Sequence, residues 1–359
     1  MSVESSGPAR IPYLDGLRGL SIIIVLVNHS GNIWPVERLP WWASCLVANG
    51  ELGVRIFFAI SGFLITQLLL TEEASIGKID LRRFYGRRIA RIFPVFYLFL
   101  LVVLLGIWIG TFRIGGAAFA AAGLYLWNYR FLFPIGEQGS NEILLGHLWS
   151  LSMEEQFYLI WPWLLPFIPT SGRLRVIVIA LAVAPLLRLA FHFMLPTSRV
   201  GLVSMFHTGY DQIGYGVLAA LVIRSIPVEK LKLRLPFKAT LPILVLGIWL
   251  SGAIEVLSHG LGVLFGPVLA GVSVAGLLLW LFTYRPLGAS LLLENAVLRW
   301  VGLVSYSVYL WQQLLLVWPT SATFLGPVMA WPAVFGLSAI SYYIIEQPSR
   351  RWLRKIFRV

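Results

Sequence analysis

The chain has 359 residues, of which 58% are hydrophobic and 12% charged, and its mean hydropathy is +0.81. A soluble domain is about one quarter charged, so this composition excludes that class and reads as one all-α integral membrane domain over 1–359. The net charge of +12 sits in short basic clusters between apolar runs, a pattern of topology signals and headgroup contacts that argues against a nucleic-acid partner.

Apolar segments are expected at 14–33, 53–71, 88–110, 114–129, 148–168, 174–195, 208–223, 238–257, 262–283, 301–318 and 327–346. Most approach the ~20 residues needed to cross a hydrocarbon layer about 30 Å thick. In the first, Leu20–Val27 is a short apolar core behind Arg10 and Arg18, as in a signal peptide. Asn28 and His29 follow it where a small-x-small cleavage site would stand, so a retained helix is expected. Asp15, Arg18, Ile22, Val25 and His29 recur at spacings of three and four and share one face of that helix. Arg18 and His29 are then about 16 Å apart along the axis. As headgroup anchors Asp15 and Arg18 are ordinary, but three ionisable groups on one face mark a surface turned to protein or water.

The second segment carries Ser61-Gly62-Phe63. Its surroundings are helical rather than strand-turn-helix, so Ser61 is expected to line a pocket or pack, not to act as a nucleophile. Arg82, Arg83, Arg87, Arg88 and Arg91 cluster between the second and the third. Part of that cluster orients the chain, but guanidinium groups at this density also suit bidentate phosphate binding. The fifth long segment opens with HLWSLSMEEQFYLIWP (147–162). Glu154 and Glu155 there fit either a helix N-terminal role or acid–base chemistry. Cys45 is the single cysteine, which excludes an intrachain disulfide, and no metal-ligand spacing or nucleotide loop occurs.

If 114–129 does not cross, ten crossings put 21 of the Lys and Arg on the side of both termini and five on the other. That bias predicts ten transmembrane helices plus one non-crossing outer-side segment, with both termini cytoplasmic in a multi-pass inner (plasma) membrane protein. The arginine cluster then lies inside, and His29 lies outside with the start of the Glu154 helix.

These stretches resemble the membrane acyltransferase-3 family, whose members O-acylate bacterial glycans and macrolides. The resemblance rests on LDGLRG with an Arg-to-His spacing of eleven, GVRIFFAISGFLIT (53–66), RRFYGRRIARIFPVFY (82–97), HLWSLSMEEQFYLIWP, SYSVYLWQ (305–312) and IEQP (345–348). It covers nearly the whole chain, in order. It implies an O-acyltransferase that takes an acyl group, acetyl first of all, from cytoplasmic acyl-CoA, a substrate rather than a resident cofactor. The acceptor would be a hydroxyl of a glycan, lipid-linked sugar or secreted small molecule. Arg18, Arg87, Arg88 and Arg91 would bind the donor. His29 would be the general base, with Glu154 or Glu155 as its acid/base partner. Asp15, Ser61, Trp149, Ser152, Asp211 and Tyr309 would complete the pocket.

Two positions depart from the family pattern. Gly209 stands where an Arg is usual before Asp211, and Gln312 stands where a His is usual. His192 and His259 match nothing and are expected to be structural. With no long polar stretch in the sequence, the acyl group is expected to reach its acceptor within this membrane domain or through a separate partner. The alternative is a multi-helix transporter or flippase, for which broken helices in an inverted repeat would be the sign, and no internal repeat is evident.

Overall fold

The computed structural model describes residues 12–30, 40–41, 51–132, 141–234, 236–316 and 326–357; Arg10, Arg38, Cys45 and Arg358 lie outside them. Among the described residues the chain is helical, with no strand. The helices, in order, are α1 (Pro12–His29), α2 (Leu52–Ile76), α3 (Leu81–Trp108), the short α4 (Gly116–Gly123), α5 (Leu148–Leu164), α6 (Arg173–Met194) and α7 (Asp211–Ser225). Then come α8 (Val228–Arg234), α9 (Phe237–Leu257), α10 (His259–Tyr284), α11 (Leu287–Leu293), α12 (Ala296–Leu316), α13 (Gly326–Ile340) and α14 (Gln347–Phe357).

Five of these are long and apolar enough to cross a membrane: α2, α3, α6 with the turn before it, α9 and α10. A sixth is added if α11 and α12, bent by 56° to each other, form one span. The other expected crossings are polar or short. Asp15, Arg18, Asn28 and His29 stripe α1, and α5, α7 and α13 have 17, 15 and 15 residues. Burial sorts the long helices. The most apolar window of α2 is 78% buried, so α2 is central, whereas those of α6 and α9 are 22% buried. Val178, Leu186, Ile243 and Val245 face outward there, as a lipid-contacting belt requires.

Local signals set the boundaries. Gly77 closes α2 at a φ of 74°, its N–H donating to the Glu73 carbonyl. Asp80 caps α3 by accepting from the Arg83 N–H at 2.9 Å. The 114–129 segment forms only the eight-residue α4 and the start of a 3-10 turn at Trp127–Leu132. Eight residues rise about 12 Å, too little to cross. Gln156 on α5 holds this segment down: it donates to the Tyr125 carbonyl at 2.8 Å and exchanges amide hydrogen bonds with Asn128 at 2.9 and 3.0 Å.

Two helix pairs approach backbone to backbone. A Cβ at Gly302 of α12 would run into the Asp15 carbonyl of α1, and one at Gly19 into the Leu298 carbonyl. Gly62 of α2 and Gly216 of α7 meet the opposing backbone at Ile213 and Ala59 in the same way. Gly302→Leu is therefore expected to force α1 and α12 apart and to lower the melting temperature in detergent. Gly336→Leu, at a glycine with open space around it, is the control that leaves it unchanged.

Candidate active site

The polar face of α1 turns inward: Ile22 and Val25 between its ends are 0% and 1% exposed. Gly53 of α2 packs against Ser21 and Val25, which brings that face against α2. Facing it, α5 presents Ser150, Glu154 and Tyr158 at intervals of four, one stripe of a helix. Together α1, α2, α5 and α12 line a narrow, partly open cavity of about 50 Å³, with Arg18, Phe58, Ser150, Glu154, Ser305 and Tyr309 among its walls.

At the Arg18 end, the Ser61 hydroxyl donates a short hydrogen bond to Glu154 Oε1 and accepts one from the Tyr158 hydroxyl at 3.1 Å. Arg88 lies over the Tyr158 ring, its guanidinium carbon 4.7 Å from the centroid. Arg18, Arg88 and Arg91 all act electrostatically on Glu154. Among the described residues none of the three guanidinium groups has a hydrogen bond. Arg87 turns away and pairs with Glu72 at 3.2 Å.

At the other end, the Tyr309 hydroxyl donates to the His147 carbonyl at 2.8 Å and makes a short hydrogen bond with Ser150. The His147 ring is 3% exposed, edge-on to Phe99 and Tyr309 at 5.5 and 5.3 Å. His29 Nδ1 lies 2.8 Å from Gln312 Oε1.

The expected residues thus divide. Arg18, Arg88, Arg91, Ser61 and Glu154 come together. The expected pairing of His29 with a carboxylate does not form: Glu154 is bound to Ser61 at the depth of Arg18, and the partner of His29 is an amide. Glu155 Oε1 is buried without a hydrogen bond among the described residues. Trp149 packs edge-on to Phe58 at 5.8 Å. The Ser152 hydroxyl returns to its own helix at Leu148, and of the two α5 serines it is Ser150 that lines the cavity. Asp15 meets α12 through its backbone, at Gly302.

Asp211 stands apart from the cavity. It forms a bidentate ion pair with Arg188 of α6 at 2.7 and 2.9 Å, and both side chains are 0% exposed. Arg188 also donates to the Thr208 and Leu264 carbonyls. This accounts for Gly209. A side chain there would collide with the Val203 carbonyl, and the guanidinium arrives from α6 instead.

Sequence reasoning missed Tyr158, Ser150, Glu346 and Arg350. The first two were legible as the stripe through Glu154. Glu346 ends a π-helical turn (Ser341–Glu346), where Ser307 donates to it at 3.1 Å and Arg350 approaches to 3.7 Å. Its recognisable signal was the i, i+4 spacing to Arg350. Burial, then the neighbouring Arg91, brings the Arg350 guanidinium down to about 10. This second arginine therefore joins Arg91 on the side where α14 packs along α3.

Residues 11–346 match the model of a family described as an acyltransferase domain. Among curated proteins, the putative peptidoglycan O-acetyltransferase YrhL of Bacillus subtilis is 29% identical, the alignment covering 95% of this chain and 55% of that protein. The peptidoglycan O-acetyltransferase OatA of Listeria monocytogenes is 28% identical over 95% of this chain and 56% of its own length. The O-acetyltransferase OatA of Staphylococcus aureus is 29% identical over 96% and 58%. The chain spans a little over half the length of these relatives. No solved structure matches.

Proposed function

The chain belongs to the membrane acyltransferase-3 family, and from that premise we propose that it is an O-acyltransferase carrying an acyl group, acetyl first of all, from acyl-CoA to an acceptor hydroxyl. The observation that carries the reading is the narrow cavity lined by Arg18 and Glu154, with Arg88 and Arg91 near Glu154 and, among the described residues, making no hydrogen bond through their guanidinium groups. Guanidinium groups beside a narrow apolar path suit a donor with phosphates at one end and a thin acyl-bearing arm at the other.

In this reading Arg18, Arg88 and Arg91 hold the phosphates of the donor, with Arg87 steadied by Glu72. Glu154 and Ser61 fix the guanidinium cluster and line the way for the pantetheine arm. His29 takes the proton of the acceptor hydroxyl, and the oxygen attacks the thioester carbonyl. The C–S bond then breaks, and the proton held by His29 passes to the departing thiolate.

The charge distribution supports ten crossings with both termini cytoplasmic, in the inner (plasma) membrane. The arginine end then faces the cytoplasm and the His29 end the outside. Two of the relatives are peptidoglycan O-acetyltransferases, which makes a peptidoglycan-type glycan the first acceptor to test.

The test uses purified protein, radiolabelled acetyl-CoA and glycan oligosaccharides. Wild type is expected to label the glycan. Arg91→Gln is expected to raise the KM for acetyl-CoA by about 10–100-fold, the loss of charge-assisted hydrogen bonds, and to leave the acceptor KM unchanged. Movement of an acceptor across the bilayer with no acyl transfer would overturn the reading in favour of a transporter.

A further inference from the structure

Three features hold His29 where it is. The close approach of α1 to α12 at Gly19 and Gly302, with Gly16 against Leu293 at the end of α11, sets their register. Ser30, next in the chain, donates to the Leu26 carbonyl at 2.7 Å and accepts from Trp331 Nε1 on α13 at 2.9 Å, closing the end of α1. On α12, Gln313 Nε2 donates to the Ile143 carbonyl at 2.8 Å, fixing the turn of helix that also carries Gln312. Gln312 itself is 0% exposed, and its one hydrogen bond among the described residues is to His29. A buried amide in a membrane domain is costly, and packing alone is met better by Leu or Met. What the amide supplies is direction.

We propose that Gln312 is a positioning residue for His29: its side-chain carbonyl oxygen accepts the Nδ1 proton and so leaves the lone pair on Nε2. The inference rests on the reading of His29 as the base. A neutral imidazole has one N–H and one lone pair, and the partner of one nitrogen decides what the other does. With Oε1 at Nδ1, Nε2 is the nitrogen able to take the proton of the acceptor hydroxyl. On taking it the ring becomes an imidazolium whose Nδ1–H still points at the Gln312 carbonyl oxygen. The amide neither gains nor loses a proton in the cycle. A reversed amide would do the opposite, since its NH2 would donate to Nδ1, place the ring proton on Nε2 and block the base.

The nitrogen that carries the proton can be read directly. The protein is labelled with ¹⁵N-histidine in nanodiscs, and His29 is identified among its five histidines by the signal lost in His29→Asn. Wild type is expected to show the Nδ1–H tautomer at His29. Gln312→Leu is expected to shift it toward Nε2–H and to lower kcat by at least about tenfold with both KM values unchanged, as an imidazole in the wrong tautomer does. Gln312→Glu, which keeps an oxygen facing Nδ1, should hold the wild-type tautomer and recover kcat. If Gln312→Leu fails to fold, Gln312→Met takes its place, and the wild-type spectrum needs no variant. An Nε2–H tautomer in wild type, or a tautomer indifferent to Gln312→Leu, would overturn the proposal. Full transfer by His29→Ala would instead overturn the base assignment, while the spectrum would still decide the hydrogen bond.

Discussion

His29→Ala is expected to reduce acyl transfer by about 10²–10⁴-fold, the usual contribution of a positioned general base. The side chain ends an inward-facing stripe and is held by Gln312 at 2.8 Å, so its loss removes both the base and that α1–α12 hydrogen bond. Donor affinity is the informative companion measurement. The arginines that would bind the donor lie about 16 Å down the same helix and on α3. Acetyl-CoA binding, measured calorimetrically on the variant, should therefore stay within twofold of wild type. Equal losses of binding and transfer would mean that the substitution had disturbed the fold instead.

The largest stability effect is expected at the Arg188–Asp211 pair. Both groups are fully buried, and Asp211→Leu leaves a guanidinium with two backbone carbonyls and no counter-charge. Breaking such a pair costs about 3–5 kcal/mol. The double variant Arg188→Leu with Asp211→Leu removes both charges and is expected to recover most of that loss. Detergent melting curves of the wild type, both single variants and the double variant measure this coupling. A double variant as unstable as the sum of the singles would show that the two residues act independently.

Helical class and most helix positions were legible because a membrane helix advertises itself by length and hydropathy. The 114–129 segment read as short and weakly anchored, and the structure gives it only the eight-residue α4 and the start of a 3-10 turn. The arginine cluster and the Asp15, Arg18, His29 stripe needed only the helical repeat. What the sequence did not hold was which helices touch. His29 and Gln312 are 283 residues apart, Ser61 and Glu154 are 93 apart, and nothing local announces either meeting.

The expectation of a carboxylate beside His29 came from placing both near the outer end. It overlooked that Glu154 lies a turn and a half inside α5, at the level of Ser61. Ser152 was taken for the pocket because it sits in the motif, although the four-residue step from Glu154 leads to Ser150. Gly209 looked like a missing arginine because the compensating one, Arg188, is carried by the preceding long helix.

The central claim is that donor and acceptor meet from opposite ends of one path. It is tested most directly in proteoliposomes sorted by orientation, with radiolabelled acetyl-CoA outside and a glycan oligosaccharide sealed in the lumen. Vesicles with the arginine end outward should label the enclosed glycan, and vesicles of the opposite orientation should not. Labelling only when donor and glycan share one compartment, whatever the orientation, would contradict the account.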